Sequence, residues 1–152
     1  MTVDEQKISN ILAELSLTDK ANVVTGHGMW TTRIIGDAGI PALTVTDGPN
    51  GARGAGLMGT GTPTACIPAG SVLGSTWNPT LMEELGVLLA EESIAKGAHV
   101  LLAPTINLHR NPLGGRNFEC YSEDPYLTGT LAAGYINGVQ SQHVAVTAKH
   151  FV

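Results

Sequence analysis

Positive charge and cysteine are both scarce in this chain. Its 152 residues carry 8 Lys and Arg against 13 Asp and Glu, a formal net charge of −5. A surface so poor in cations is unsuited to nucleic acid or to an anionic membrane, which are gripped by clustered basic residues. The 2 cysteines, Cys66 and Cys120, cannot make a disulfide framework. They are expected to be buried free thiols in a reducing setting. No apolar stretch is long enough to span a bilayer. The first residues, MTVDEQKISN, show neither the basic nor the apolar region of a secretory signal, and a cytoplasmic location is the expectation. The histidines, at 27, 99, 109, 143 and 150, have no ligand spacing, so neither a metal nor any other cofactor is expected.

Glycine and proline are plentiful instead, at 19 and 8. They fall between periodic segments and read as turns and loops. The length suits one domain with a moderate core.

In chain order, Ile8, Ile11, Leu12 and Leu15 stand at helical spacing, predicting a helix over residues 4–15. A second begins at Thr18, its expected cap, and ends before Gly26. Trp30, in a glycine-rich setting, reads either as packing or as a platform for a sugar ring. Residues 43–46 form a β-branched run, a buried strand, directly followed by Asp47 in DGPNGARG. Asn78–Pro79 and Asp124–Pro125 are each a cap followed by proline at the first helical position. Behind them, Leu81, Leu85, Leu88 and Leu89, then Leu127, Leu131, Tyr135, Ile136 and Val139, supply apolar faces. Residues 100–103 and 144–147 read as two more strands.

The order strand, loop, helix, strand, loop, helix, strand implies parallel strands with crossover helices, an α/β fold. In a (β/α)8 barrel or an open doubly wound sheet, chemistry gathers where the strands end. Asp47, the loop after residue 103, and the Lys149–His150 pair all follow strands and so share one rim. That loop has no helical or alternating pattern over residues 104–123 and exceeds the usual connection of up to about 12–15 residues. Pro104, Ile106, Leu108, Pro112, Leu113, Phe118 and Tyr121 interleave its polar groups as anchors. Such a loop suggests a ligand pocket. Singly, Asp47 could cap the Gly48–Pro49 turn, Arg53, Arg110 and Arg116 could be loop ion pairs, and Lys149–His150 could be incidental. Gathered on one rim, carboxylate, guanidinium, ammonium and imidazole suit a neutral, hydroxyl-rich ligand. The run GAGLMG, residues 54–59, fits GxGxxG but follows a turn and precedes GTGTP, which opens a helix poorly. A dinucleotide site needs a strand before it and a helix after it.

The run LLAPTINLHRNPLGGRNFECYSEDP, with VTDGPNGARG and AKHF, resembles the family 3 glycoside hydrolases. The similarity extends from LSLTDKANVVTG at Leu15 to the closing KHFV. It implies the N-terminal part of a (β/α)8 TIM-type barrel, about half of it, with residues 1–41 leading in and 42–152 forming the first βα units of one partial domain. It implies that Asp47 binds the outer hydroxyls of a terminal sugar and that Arg53, Arg116, Lys149 and His150 complete the subsite. It also implies removal of terminal β-D-glucosyl residues by a retaining double displacement, with a β-glucoside or oligosaccharide as substrate. Val152 stands where the family's N-acetylglucosaminidase branch has proline, which favours the β-glucosidase branch. The family's nucleophilic aspartate, in an SDW-like motif, and its acid/base glutamate have no counterpart here. They are expected beyond Val152, in the remainder of the polypeptide, and the fragment alone is expected to be inactive. Asp124 matches a helix cap, and Glu119 and Glu123 read as loop braces. The rival from another class is a non-catalytic carbohydrate-binding half-barrel.

Overall fold

The computed structural model describes residues 4–54 and 63–151. The chain divides into two compact units, residues 1–44 and 45–152.

In the first unit, α1 (Glu5–Glu14) is capped by Asp4, whose carboxylate accepts from Lys7 N at 3.0 Å. The cap of α2 (Leu17–Val24) is Ser16, not Thr18. Ser16 Oγ accepts from Asp19 N at 3.1 Å, and the Asp19 side chain accepts from Ser16 N at 3.3 Å. This reciprocal pair satisfies two otherwise orphaned donors. Ile8, Ile11, Leu12 and Leu15 line an apolar groove with Val23 and Ile40. Leu43 and Thr44, expected in the first strand, pair locally instead: Leu43 O accepts from Thr32 N at 2.9 Å, and Thr44 bridges Thr31.

The second unit holds β1 (Val45–Asp47), α3 (Gly70–Gly74), α4 (Pro79–Ala95), β2 (Val100–Leu102), α5 (Pro125–Ser141) and β3 (Ala145–Val146). The strands are parallel in the order β1-β2-β3, with Asp47 opposite Leu102 and Val100 opposite both Val45 and Ala145. Successive strands thus lie side by side without the reversal of order that marks a doubly wound sheet. The fold is α/β, part of a (β/α)8 barrel, and all the strands end at one edge.

Both long helices begin as the Asx-Pro pairs predict. Asn78 accepts from Leu81 N at 3.1 Å, and Asp124 from Tyr126 N at 2.8 Å. Of the expected leucine row on α4, however, only Leu89 lies on the fully buried face. That face consists of Met82, Gly86, Leu89, Ala90 and Ser93, while Leu85 and Leu88 are only partly covered. The cause is the neighbour. Helices α4 and α5 touch backbone to backbone, so that a Cβ on Gly86 would lie 2.4 Å from Tyr135 O and one on Gly138 2.0 Å from Glu83 O. Small residues mark the contact line and leucines flank it. Met82, Leu89, Leu101, Leu131, Tyr135 and Val139 are fully buried; each such side chain contributes ~1.5–3 kcal/mol by leaving water. Of the expected loop anchors, Pro104 and Tyr121 are buried, but Leu113 and Phe118 stand out in solvent at 91% and 61% exposure. Cys120 is buried as a free thiol, whereas Cys66, on the irregular segment 63–69, is exposed.

Candidate functional site

The site begins with a tight turn. Beyond β1, Asp47 O accepts from Arg53 N at 2.8 Å and Gly48 O from Gly51 N at 3.2 Å, closing the DGPNGAR loop on itself. Gly48 has φ +134°, and a Cβ there would lie 1.9 Å from Gly51 O, so only glycine fits. The loop is then pinned from below. Gly54 N donates to the buried Thr46 hydroxyl at 2.8 Å, Tyr135 Oη donates to Pro49 O at 3.3 Å, and Lys96 Nζ donates to Ala52 O. Burial pushes the Tyr135 phenol well above its usual range, so this hydroxyl stays a neutral donor.

The facing segment 63–69 is held by Asn50 Nδ2 donating to Pro68 O at 2.6 Å and by Glu92. Ala65 N donates to Glu92 Oε1 at 2.6 Å, and the Thr64 hydroxyl donates to Oε2. Burial opposes the Glu92 charge, but these donors and the nearby Lys96 outweigh it, and the carboxyl lies below its ordinary 4.5. A depressed folded value means that the stabilisation is present above 4.5 and is lost as pH falls through the lower, folded value. Amide exchange at residues 64–69, taken relative to the intrinsic rate at each pH, is therefore expected to accelerate on acidification below 4.5. In Glu92→Gln it is expected to be fast already at neutral pH and to change little with acid.

With the loop fixed, Asp47 presents its carboxylate between cations. Lys149 Nζ donates to Oδ1 at 2.6 Å, and Arg53 Nη2 lies 3.9 Å from Oδ2. Lys149 arrives because the chain beyond β3 continues alongside the chain beyond β2: Thr105 bridges Lys149 in parallel, Lys149 N donates to Pro104 O at 2.9 Å, and Ile106 N donates to Lys149 O at 2.7 Å. The Ala103–Pro104 and Lys149–His150 peptide bonds are cis.

The central loop supplies the other half. Asn111 O accepts from Gly114 N at 2.9 Å and from Asn117 Nδ2 at 2.8 Å, folding PLGGRN into a closed turn that sets up Arg116. Arg116 Nε is bound to Glu119 Oε1, whose other oxygen accepts from the buried Thr105 hydroxyl at 3.4 Å. The hydrogen bond to Glu119, and then its charge, hold the Arg116 guanidinium above its ordinary value. Arg116 Nη2 lies 3.0 Å from His150 Nε2. These groups wall a cleft of about 350 Å³, with Thr105, Asn107, Arg116, Glu119, Cys120 and His150 around it. Burial, and secondarily Glu119, push the Cys120 thiol up, so it packs as a neutral wall. Among the described residues no three His, Cys, Asp or Glu side chains gather as a metal would require.

Asp47, Arg53 and Lys149 thus form one ion-paired group, and Arg116, ion-paired with Glu119 and hydrogen-bonded to His150, forms another, both at the carboxyl ends of the strands. Trp30 is half-buried in the first unit. Most of GAGLMG, residues 55–59, lies outside the described residues, as does Val152. Sequence reasoning missed Asn107, Thr105 and the Glu92 and Lys96 pins. The only signal for any of them was the density of asparagine and threonine after β2.

The family model described as "Glycosyl hydrolase family 3 N terminal domain" matches residues 2–152. The chain belongs to this family. It is 54% identical over 145 residues to a beta-glucosidase of Rhizobium radiobacter, covering 95% of this chain and 18% of that protein. It is 48% identical over 149 residues to beta-glucosidase B of Emericella nidulans, covering 98% and 18%. Among solved structures, the beta-glucosidase from Kluyveromyces marxianus in complex with glucose superposes with a TM-score of 0.91 at 45% identity, covering 95% of this chain and 17% of that one. Beta-glucosidase 3B from Thermotoga neapolitana, in complex with alpha-D-glucose, gives 0.88 at 40% identity, covering 95% and 23%. This family 3 chain therefore spans about a fifth of the length of such relatives. What it holds of the barrel is the rim that carries Asp47, Arg116 and Lys149.

Proposed function

We propose that the protein containing this chain is a retaining β-glucosidase and that these residues form the part of its active site that holds the terminal sugar. The carrying observation is the Asp47 carboxylate, fixed between Lys149 and Arg53 at the strand ends. It can accept hydrogen bonds from two adjacent hydroxyls, while Arg116 and Lys149 supply donors to the remaining oxygens and His150 holds Arg116 in place. The relatives named beta-glucosidase support glucose as the sugar.

Retaining hydrolysis needs a nucleophile and an acid/base whose carboxyl groups lie about 5–5.5 Å apart. Asp47 and Glu119 are both committed to cations, and we assign the two chemical roles to parts of the protein outside these residues. A reducing, cytoplasmic setting completes the reading, supported by the free thiols of Cys66 and Cys120. Among the described residues no helix is long and apolar enough to cross a membrane.

The test is an assay of residues 1–152 beside a chain extended through the rest of the reading frame, with a chromogenic β-glucoside. Turnover is expected from the extended chain only. If a folded extended chain binds glucose without turnover, the protein is a carbohydrate-binding module instead. Turnover by residues 1–152 alone would overturn the assignment of the two chemical roles.

A further inference from the structure

Asn107 belongs to none of the ion-paired groups, yet it touches His150 at three points. Its Oδ1 accepts from His150 N at 2.8 Å and lies 3.3 Å from the ring Nδ1, while its Nδ2 donates to His150 O at 3.2 Å. The donor to His150 O fixes which end of the carboxamide faces the ring. A carboxamide oxygen only accepts, so the proton must sit on Nδ1. The opposite ring nitrogen gives the same answer from a different partner. Arg116 Nη2, 3.0 Å from Nε2, can only donate, so Nε2 must carry the lone pair.

We propose that Asn107 is a positioning residue of the sugar site. It locks His150 in the neutral Nδ1–H tautomer so that Nε2 anchors one edge of the Arg116 guanidinium. Glu119 anchors the adjacent edge through Nε. With both edges tied, the Nη1 hydrogens and the free Nη2 hydrogen point in a fixed direction, toward ligand oxygens. The other tautomer would set two donors against each other and release the guanidinium. The charged and titratable neighbours of the ring are Arg116 itself, Glu119 behind it, and Lys149, which is paired with Asp47.

This inference rests on the glucosidase reading for its kinetic arm but not for its structural one. In the extended protein, Asn107→Ala is expected to lower kcat/KM for the β-glucoside about 10–100-fold, as misplacement of a positioned group does. KM and the glucose inhibition constant should both rise, because Arg116 contacts the sugar before and after the reaction. Asn107→Asp keeps an oxygen for His150 N and Nδ1–H but turns the donor facing His150 O into an acceptor, so it should fall between the parent and alanine. A fall in kcat alone, with KM and glucose inhibition unchanged, would mean only a smaller folded fraction and would overturn the proposal. So would an effect below twofold.

The structural arm is ¹⁵N NMR of protein labelled at histidine, with His150→Gln to assign the signal. The parent ring is expected in the Nδ1–H form and the Asn107→Ala ring in a mixture. An Nε2–H ring in the parent overturns the proposal whatever the substrate. A parent with the expected ring but no turnover sinks the glucosidase reading and leaves the assignment of Asn107 standing.

Discussion

Replacing Asp47 by alanine in the extended protein is expected to lower kcat/KM for a β-glucoside about 10²–10⁴-fold. The size follows from the proposed contacts. Hydrogen bonds to a charged group contribute roughly 1.5–3 kcal/mol each, and each 1.36 kcal/mol is tenfold in rate. Two adjacent hydroxyls therefore account for the range. The loss should appear in both parameters, raising KM and lowering kcat, because these contacts lie away from the reacting bond and orient the ring for attack. The substitution also leaves Lys149 and Arg53 facing each other without their shared anion. Asp47→Asn retains an oxygen and the size of the side chain, so it should fall between the parent and alanine. Steady-state kinetics of the three proteins decide the matter, and an alanine variant within twofold of the parent would remove Asp47 from the site.

The second large effect lies far from the rim. Gly138→Ala and Gly129→Ala place the same methyl group on the same helix, α5, and are expected to move stability in opposite directions. At Gly129 nothing lies within 4 Å of the added Cβ, whereas at Gly138 it would lie 2.0 Å from Glu83 O. Alanine gains ~0.5–1 kcal/mol over glycine inside a helix, and at Gly129 that gain stands alone. At Gly138 the collision is with backbone, which cannot rotate aside, so α4 and α5 must separate. Overpacking costs ~1–3 kcal/mol and sometimes more, which outweighs the gain. Thermal midpoints of the extended protein should rise for Gly129→Ala and fall by several degrees for Gly138→Ala. A Gly138→Ala variant as stable as the parent would contradict the close approach of the two helices, and a fall for Gly129→Ala would contradict the open space at that position.

How far the sequence could be read depended on how far apart the partners lie. Helix starts at Asn78 and Asp124 were legible because a cap acts over two or three residues. The shared rim was legible because parallel topology puts every strand end on the same edge. The side chains that hold the rim in shape were not, because their partners lie far along the chain. Glu92 reaches Ala65 across 27 positions, Asn107 reaches His150 across 43 and Lys96 reaches Ala52 across 44. No local pattern announces such a pair. The face of α4 was misread for a related reason: leucines marked the hydrophobic side correctly, but the contact line was set by glycines whose meaning depends on the other helix. Leu43 likewise looked like strand and was claimed by Thr32 instead.

The Lys149–Asp47 bond joins residues 102 positions apart, and this has a consequence for synthesis. At about 5–20 residues per second on the ribosome, Asp47 emerges roughly 5–20 s before its lysine. For about the first half of that interval β1 has no β2 beside it, and for nearly all of it no β3 has been made; throughout, the carboxylate lacks its lysine. Strand pairing must proceed outward from β1 before the ammonium can be delivered. The rim is thus among the last parts of these residues to take shape during translation, and a pause between codons 103 and 144 would prolong the period in which β1 and β2 are made but β3 and the site are not.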